Sequence, residues 1–118
     1  MKREEIFKYV KEKYNTLPDY PWDNLPDYAV LRHDKNEKWY GLVMNVEKNK
    51  LNLDGEGKLD ILDLKCEPEL VGSLQKEEGF LPAYHMNKEH WITIVLNIQT
   101  KKKILELLDN SYRLTKDN

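Results

Sequence analysis

The densest group of chemically capable side chains in this 118-residue sequence lies at residues 82–91. This segment, PAYHMNKEHW, combines two imidazoles, two aromatic rings, an amide and an ammonium group directly before a strand-like apolar run. Hiding a polar tip without a partner costs roughly 1 to 3 kcal/mol, so a buried strand has no use for these groups. We therefore expect some of them to face solvent or a ligand.

Basic and aromatic residues elsewhere in the chain extend this group. Lysine and arginine neutralise phosphates, asparagine can present two hydrogen-bonding atoms to adenine, and indole rings stack on exposed bases. This chemistry suits nucleic acid. A structural alternative stays open, in which His85, Asn87 and His90 tie a turn to its neighbours and the lysines are solvated. The candidate nucleic-acid-binding residues are Arg32, Lys38, Trp39, Lys65, His85, Asn87, Lys88, His90 and Trp91.

The spacing of the cysteine, histidine and acidic residues gives little support for a metal site or a catalytic site. Cys66, His85 and His90 could form a zinc site or a Cys–His nucleophilic pair only if they converged, and a structural zinc site requires four ligands. Cys66 alternates with two leucines of a predicted strand, which indicates a buried thiol. The segment 54–57 lacks the spacing of a calcium loop or a dinucleotide-binding fingerprint. We expect a binding protein rather than an enzyme, with no metal and no cofactor.

The overall charge argues against a strong DNA clamp that ignores sequence. Nineteen Lys and Arg residues face 21 Asp and Glu residues, giving a net charge of −2 and a sequence pI near 5.9. Dedicated nucleic-acid-binding domains more often have a pI above about 9. Binding depends on where the basic groups cluster, which their sum does not reveal.

Length and composition predict a single domain over residues 1–118, with one core and no membrane segment. Apolar residues make up 40% and charged residues 34%, values typical of a folded, soluble chain. Charges interrupt the apolar pairs of the first ten residues, whereas a secretory signal needs about 7 to 15 uninterrupted apolar residues. The only cysteine, Cys66, has no intrachain disulfide partner. We expect a cytoplasmic protein.

Hydrophobic periodicity predicts helices and strands that would position these side chains. Prolines in the segment 18–26 interrupt the chain, and the aromatic residues there are expected to fold back on the core. The predicted elements are a helix over 3–17, strands over 28–33, 38–46 and 60–66, a helix from Pro68 to about Gly79, a short strand and turn after Pro82, a strand over 91–98, and a helix over 102–114.

This order, α-β-β-β-α-β-β-α, predicts a two-layer α+β domain with an antiparallel sheet of about five strands and helices on one face. The other face would then be exposed to solvent. Alternation along the second strand places Tyr40, Leu42, Met44 and Val46 on the core face and Trp39, Gly41 and Asn45 on the exposed one. Trp91 likewise points away from the predicted core, so both indoles are expected on the exposed face.

Several segments of the sequence resemble the MmcQ/YjbR family of small bacterial domains. They are 28–32, Lys38-Trp39, 64–66 with Pro68, 79–91 and 109–112. The resemblance implies a CyaY-like α+β fold with a double-wing arrangement, in which strand hairpins flank a helix and embrace DNA. By the same resemblance, the residues implied to contact DNA are Lys38, Lys65, His85, Asn87, Lys88 and His90, with Trp39 and Trp91 beside them.

Two functions from different classes therefore stay open. In the first, the domain binds DNA phosphates through a basic, aromatic sheet face or through its hairpin wings. In the second, it is a protein–protein interaction module that binds a partner or itself through the open sheet face, with Trp39 and Trp91 as anchors. A third alternative is a pocket near Cys66, His85 and His90 that binds a small molecule or has a catalytic use, since imidazoles titrate near neutrality. A monomer is the expected state.

Overall fold

The computed structural model describes residues 1–117, which form three α-helices, one short 3-10 helix and five β-strands. In chain order these are α1 (Arg3–Tyr14), β1 (Ala29–Arg32), β2 (Trp39–Glu47), the 3-10 helix (Lys48–Leu51), β3 (Lys58–Lys65), α2 (Pro68–Leu74), β4 (Phe80–Pro82), β5 (Trp91–Val95) and α3 (Lys101–Thr115). The predicted α+β class and the predicted order of helices and strands are confirmed.

The strands form one antiparallel sheet in the order β1-β2-β3-β5-β4. Both outer strands are short. β4 is three residues long and ends in Pro82, which has no N–H to donate. The free side of β1 is occupied by an isolated bridge between Asp19 and Val30, whose backbone groups exchange hydrogen bonds of 3.0 and 2.8 Å.

All three helices of the described residues pack on the same face of this sheet. Ile6 and Val10 of α1 and Ile104 and Leu108 of α3 are fully buried against it. Burying one such side chain stabilises the fold by roughly 1.5 to 3 kcal/mol. α1 ends where Asn15 adopts a left-handed conformation with φ 56°, so the prediction that this helix extends to residue 17 is wrong.

A β-bulge in β2 changes which side chains face the helices. Leu31 lies opposite Gly41, but its neighbour Arg32 lies opposite Trp39, so Tyr40 is an extra residue in β2. The Tyr40 side chain therefore joins the core on the helix side, and Trp39 lies on the opposite face. Leu42, Met44 and Val46 also lie on that opposite face, so the prediction that they share a face with Tyr40 is wrong. A Cβ atom on Gly41 would lie 2.9 Å from Cδ1 of Leu31, so any other residue at this position requires the buried Leu31 side chain to shift.

A serine from α3 connects the two strands beside this bulge. Beyond the paired residues Gly41 and Leu64, the hydroxyl of Ser111 accepts the N–H of Lys65 at 2.9 Å. The same hydroxyl donates to the carbonyl of Tyr40 at 2.6 Å. Ser111 is completely buried, so it satisfies two backbone groups that solvent cannot easily reach.

The sheet face away from the helices is covered, so the prediction that it is open is wrong. Its strand residues form a second hydrophobic cluster, and side chains from the connecting segments pack over them. Trp91 is only 8% exposed, which contradicts its predicted exposure, and Trp39 is half-buried. The buried members are Val30, Leu42, Met44, Val46, Leu51, Ile61 and Val95; the covering side chains from the connections include Trp22, Tyr28, Leu53, Tyr84 and Met86.

The strands and helices after residue 79 differ in detail from the prediction. The short strand precedes the signature segment instead of following Pro82, since β4 covers Phe80–Pro82. β5 ends at Val95, and Ile98 in the following turn is 45% exposed, although the pattern predicted it to be in the core. In the described part of the chain, no helix has the length and apolar character needed to cross a bilayer.

Candidate nucleic-acid interface

The signature segment forms a loop between β4 and β5. Its shape depends on Asn87, whose side-chain oxygen accepts the backbone N–H groups of Glu89 at 2.9 Å and His90 at 3.1 Å. Such a turn closed by an asparagine side chain is a common loop motif. Asn87 therefore has the turn-forming role of the structural alternative. His85 has φ 63°, a left-handed conformation uncommon for residues other than glycine.

Replacement of Asn87 by alanine should loosen this loop without unfolding the domain. Two backbone N–H groups lose their acceptor, but both lie in an exposed segment where water replaces it. We therefore expect the free energy of unfolding to fall by about 0.5 to 1.5 kcal/mol. Hydrogen exchange at Glu89 and His90 should accelerate. Asn97→Ala, at an exposed asparagine after β5, is the control. Unchanged exchange at both amides would contradict the role given to Asn87.

Two lysines and a histidine meet around one open cavity, here named the basic cavity. Its volume is about 290 Å³. Lys50 comes from the connection between β2 and β3, whereas His85 and Lys88 come from the loop between β4 and β5. Asn52 on its wall is also left-handed, with φ 59°. The lining residues are Lys50, Leu51, Asn52, Leu81, Pro82, Ala83, Tyr84, His85 and Lys88.

A second cavity of about 220 Å³, here named the aromatic cavity, adjoins the first. The ring of Trp22 meets that of Trp39 at 5.7 Å and 79°, and that of Tyr28 at 6.2 Å and 87°. Both contacts are edge-to-face, the arrangement that aromatic pairs prefer. His85 lines both cavities. The lining residues are Trp22, Leu25, Tyr28, Trp39, Leu42, Met44, His85 and Met86.

A fully buried carboxyl group lies under the same loops. Asp63 of β3 accepts a hydrogen bond of 2.5 Å from the hydroxyl of Thr93, which itself accepts the N–H of Tyr84 at 2.9 Å. Its second oxygen, Oδ2, has no hydrogen-bond partner among residues 1–117. Burial raises the pKa of Asp63 to about 8, against the opposing effects of Thr93 and of the charge on Lys88. The carboxyl is thus mainly protonated at neutral pH.

Four of the predicted residues lie in a row across one end of the sheet. Arg32 is opposite Trp39, and Lys65 is opposite Trp91. The guanidinium of Arg32 lies 5.5 Å from the Trp39 ring centroid and forms a 2.9 Å ion pair with Asp19. This arginine charge is therefore already partnered, and buried Trp91 cannot stack on a base.

The other predicted nucleic-acid-binding residues either line the basic cavity or lie outside both cavities. Among the residues that line the basic cavity, His85 and Lys88 were predicted and Lys50 was not. Lys38 and His90 are exposed and lie outside both cavities, as does Lys65. Lys50 escaped sequence reasoning because it belongs to a separate connection; the only signal was its place in the polar segment between two predicted strands.

The cysteine and histidines do not form a common site. Cys66 belongs to the core on the helix side, and burial raises the pKa of its thiol. His85 lines cavities on the opposite face. The contact that joins Cys66 to His90 is a backbone hydrogen bond of 2.9 Å. Within residues 1–117, no three His, Cys, Asp or Glu side chains are arranged to hold a metal ion.

Fold and site together define a small two-layer α+β domain whose loop-covered sheet face contains a basic and an aromatic cavity. A family model described as YjbR matches residues 11–114. The chain belongs to the YjbR family, as its sequence predicted.

Proteins similar to this chain occur in bacteria. The chain is 57% identical over 115 residues to the uncharacterized protein YyaQ of Bacillus subtilis, covering 97% of this chain and 98% of that one. It is 50% identical to a Pseudomonas syringae protein solved by crystallography, with a TM-score of 0.95 and coverage of 98% and 99%. A Deinococcus radiodurans protein with a DUF419 domain is 25% identical, with a TM-score of 0.72 and coverage of 98% and 79%.

Proposed function

We propose that this protein binds DNA, with phosphate oxygens held in the basic cavity by Lys50 and Lys88 and hydrogen-bonded by His85. The observation that carries the proposal is the convergence of these three side chains on one cavity of about 290 Å³. Ammonium groups attract phosphate as point charges, and a concave site with cations on its wall concentrates that attraction.

The origin of these side chains supports the same proposal. Lys50 lies in the connection of the β2–β3 hairpin, and Lys88 lies in that of the β4–β5 hairpin. Two hairpin connections thus supply the cations, in keeping with contact through hairpin wings. The net charge of −2 favours a local contact with few phosphates over a clamp along a duplex.

Salt dependence tests whether phosphate contacts drive binding. If two phosphates are neutralised, a fourfold rise in salt should weaken the affinity roughly tenfold. Fluorescence anisotropy of a labelled oligonucleotide, titrated with the full chain at two salt concentrations, measures this change. Binding that ignores salt, or no binding at low salt, would refute the proposal.

Charge reversal at the basic cavity should weaken DNA binding by at least roughly tenfold, since two attractive contacts become repulsive. The variant is Lys50→Glu with Lys88→Glu. The matched control is Lys8→Glu with Lys76→Glu, which changes the net charge equally at exposed lysines of α1 and of the segment after α2. Equal losses in both variants would show that only the overall charge matters, and would remove the cavity from the site.

The alternative of partner docking on an open sheet face loses its main support. Loop side chains cover that face, and Trp91, one of its two proposed anchors, is buried. Buried anchors contribute to an interface only after local unfolding exposes them. DNA binding at the loops requires no such rearrangement, and we therefore prefer it.

A further inference from the structure

We infer that the ligand is an unpaired nucleotide of a single strand, with its phosphate in the basic cavity and its base in the aromatic cavity. This inference rests on the proposed DNA binding and extends it from the backbone to the base. It starts from the adjacency of the two cavities, which share His85 as a common wall residue. Each nucleotide carries an anionic phosphate, which suits the basic cavity, and a flat aromatic base, which suits the aromatic cavity.

The aromatic cavity has the size and shape for one base. An apolar cavity of about 150 Å³ accommodates benzene, so about 220 Å³ leaves room for a single larger ring system. The planes of Trp22 and Trp39 are inclined by 79°. A flat ring lying against one indole therefore meets the other indole edge-on, and both contacts are favourable aromatic geometries.

The lining chemistry favours stacking over reading of a base sequence. Apart from His85 and the polar atoms of the aromatic side chains, the wall is apolar and consists of aromatic rings with leucine and methionine side chains. Stacking on aromatic side chains tolerates every base, since each has a π-face. We therefore expect weak sequence preference at this site.

The charge distribution favours a single strand over a duplex. The basic cavity offers two lysines, and the nearby Arg32 is engaged by Asp19. A duplex hides the faces of its bases, and turning one out costs free energy that a single strand does not pay. A positively charged groove combined with aromatic stacking surfaces is the usual means of binding single strands, and the two adjoining cavities supply both.

Three probes of equal length test the inference on the full chain. They are a single-stranded DNA of about eight nucleotides, within the site sizes usual for single-strand-binding domains, its duplex, and the same strand with abasic sites. The intact single strand should bind between about fivefold and a hundredfold tighter than the abasic strand, the range expected for stacking of one base. It should also bind tighter than the duplex.

Intrinsic fluorescence locates the base. Trp22 and Trp39 line the aromatic cavity and Trp91 does not, so the single strand should quench emission in the Trp91→Phe variant as it does in the natural chain. Trp22→Phe and Trp39→Phe should each reduce the quenching, and circular dichroism checks that every variant is folded. Quenching that disappears only in Trp91→Phe would overturn the inference.

The outcomes also separate this inference from the function on which it rests. Equal affinity for intact and abasic strands, with sensitivity to Lys50→Glu and Lys88→Glu, would overturn base binding and leave DNA binding in place. Failure of all three probes to bind at low salt would overturn both. Preference for the intact single strand together with quenching through Trp22 and Trp39 would support both.

Discussion

Between about pH 5 and about pH 9, the natural chain should lose about 2 kcal/mol or more of stability relative to the Asp63→Asn variant. The folded chain holds a proton on buried Asp63 up to a pKa of about 8, whereas the unfolded carboxyl releases it near its ordinary value of 3.8. Each unit of difference corresponds to about 1.4 kcal/mol, and entry of water on local opening reduces the total.

The direction follows from proton uptake on folding. Stability from the protonated carboxyl is fully present below its ordinary pKa and is lost as the pH rises to about 8. Asparagine is neutral at every pH and does not titrate, so it removes this pH-dependent loss whatever constant effect its amide has on stability. Urea unfolding at pH values from about 5 to 9 measures it, with Asp54→Asn at an exposed acid as the control. Equal pH dependence in the natural chain and Asp63→Asn would refute the assignment.

Ser111→Ala should destabilise the domain by about 2 to 4 kcal/mol. The substitution leaves the N–H of Lys65 and the carbonyl of Tyr40 without their shared partner. Each buried backbone group left unpaired costs roughly 1 to 3 kcal/mol. The midpoint of urea unfolding reports the change, and the m-value shows whether the transition stays cooperative.

Ser73→Ala is the matched control for this experiment. The Ser73 hydroxyl donates to the carbonyl of Leu70 within α2 and is exposed, so its loss should change the free energy of unfolding by at most about 0.5 kcal/mol. An equally small change for Ser111→Ala would mean that water can replace the hydroxyl as partner of both backbone groups. The stability of the bulge at Tyr40 would then not depend on α3.

The order of elements could be predicted because it follows from local periodicity. The apolar stripe of α3 and the alternation of β5 are each contained within one segment, and neither requires knowledge of its partner. The faces of β2 could not be predicted in the same way. A single extra residue at Tyr40 reverses the alternation before Gly41, and the only local signal was the glycine itself.

Composition and periodicity could not predict that connecting segments cover the second face of the sheet. Trp22 and Met86 lie in connections without regular periodicity, and nothing local specifies the face over which such connections fold. The prediction that the aromatic residues of segment 18–26 pack back on the core is confirmed for Trp22, whereas Tyr20 in the same segment is exposed.

The candidate site was predicted in part for the same reason. His85 and Lys88 stood out because they lie in one dense segment, and the structure places both at the basic cavity. Lys50 joins them from another connection, which only the tertiary fold reveals. The burial of Asp63 was not predicted, because alternation assigned this residue to a face expected to be exposed, where acidic side chains are common.

The short, blocked borders of the sheet limit how copies of this chain can associate. An incoming strand needs a row of free N–H and C=O groups, but β4 offers three residues ending in Pro82, and the Asp19 bridge occupies part of β1. Fibril growth and extension of the sheet from one copy to the next thus have few free backbone groups to use.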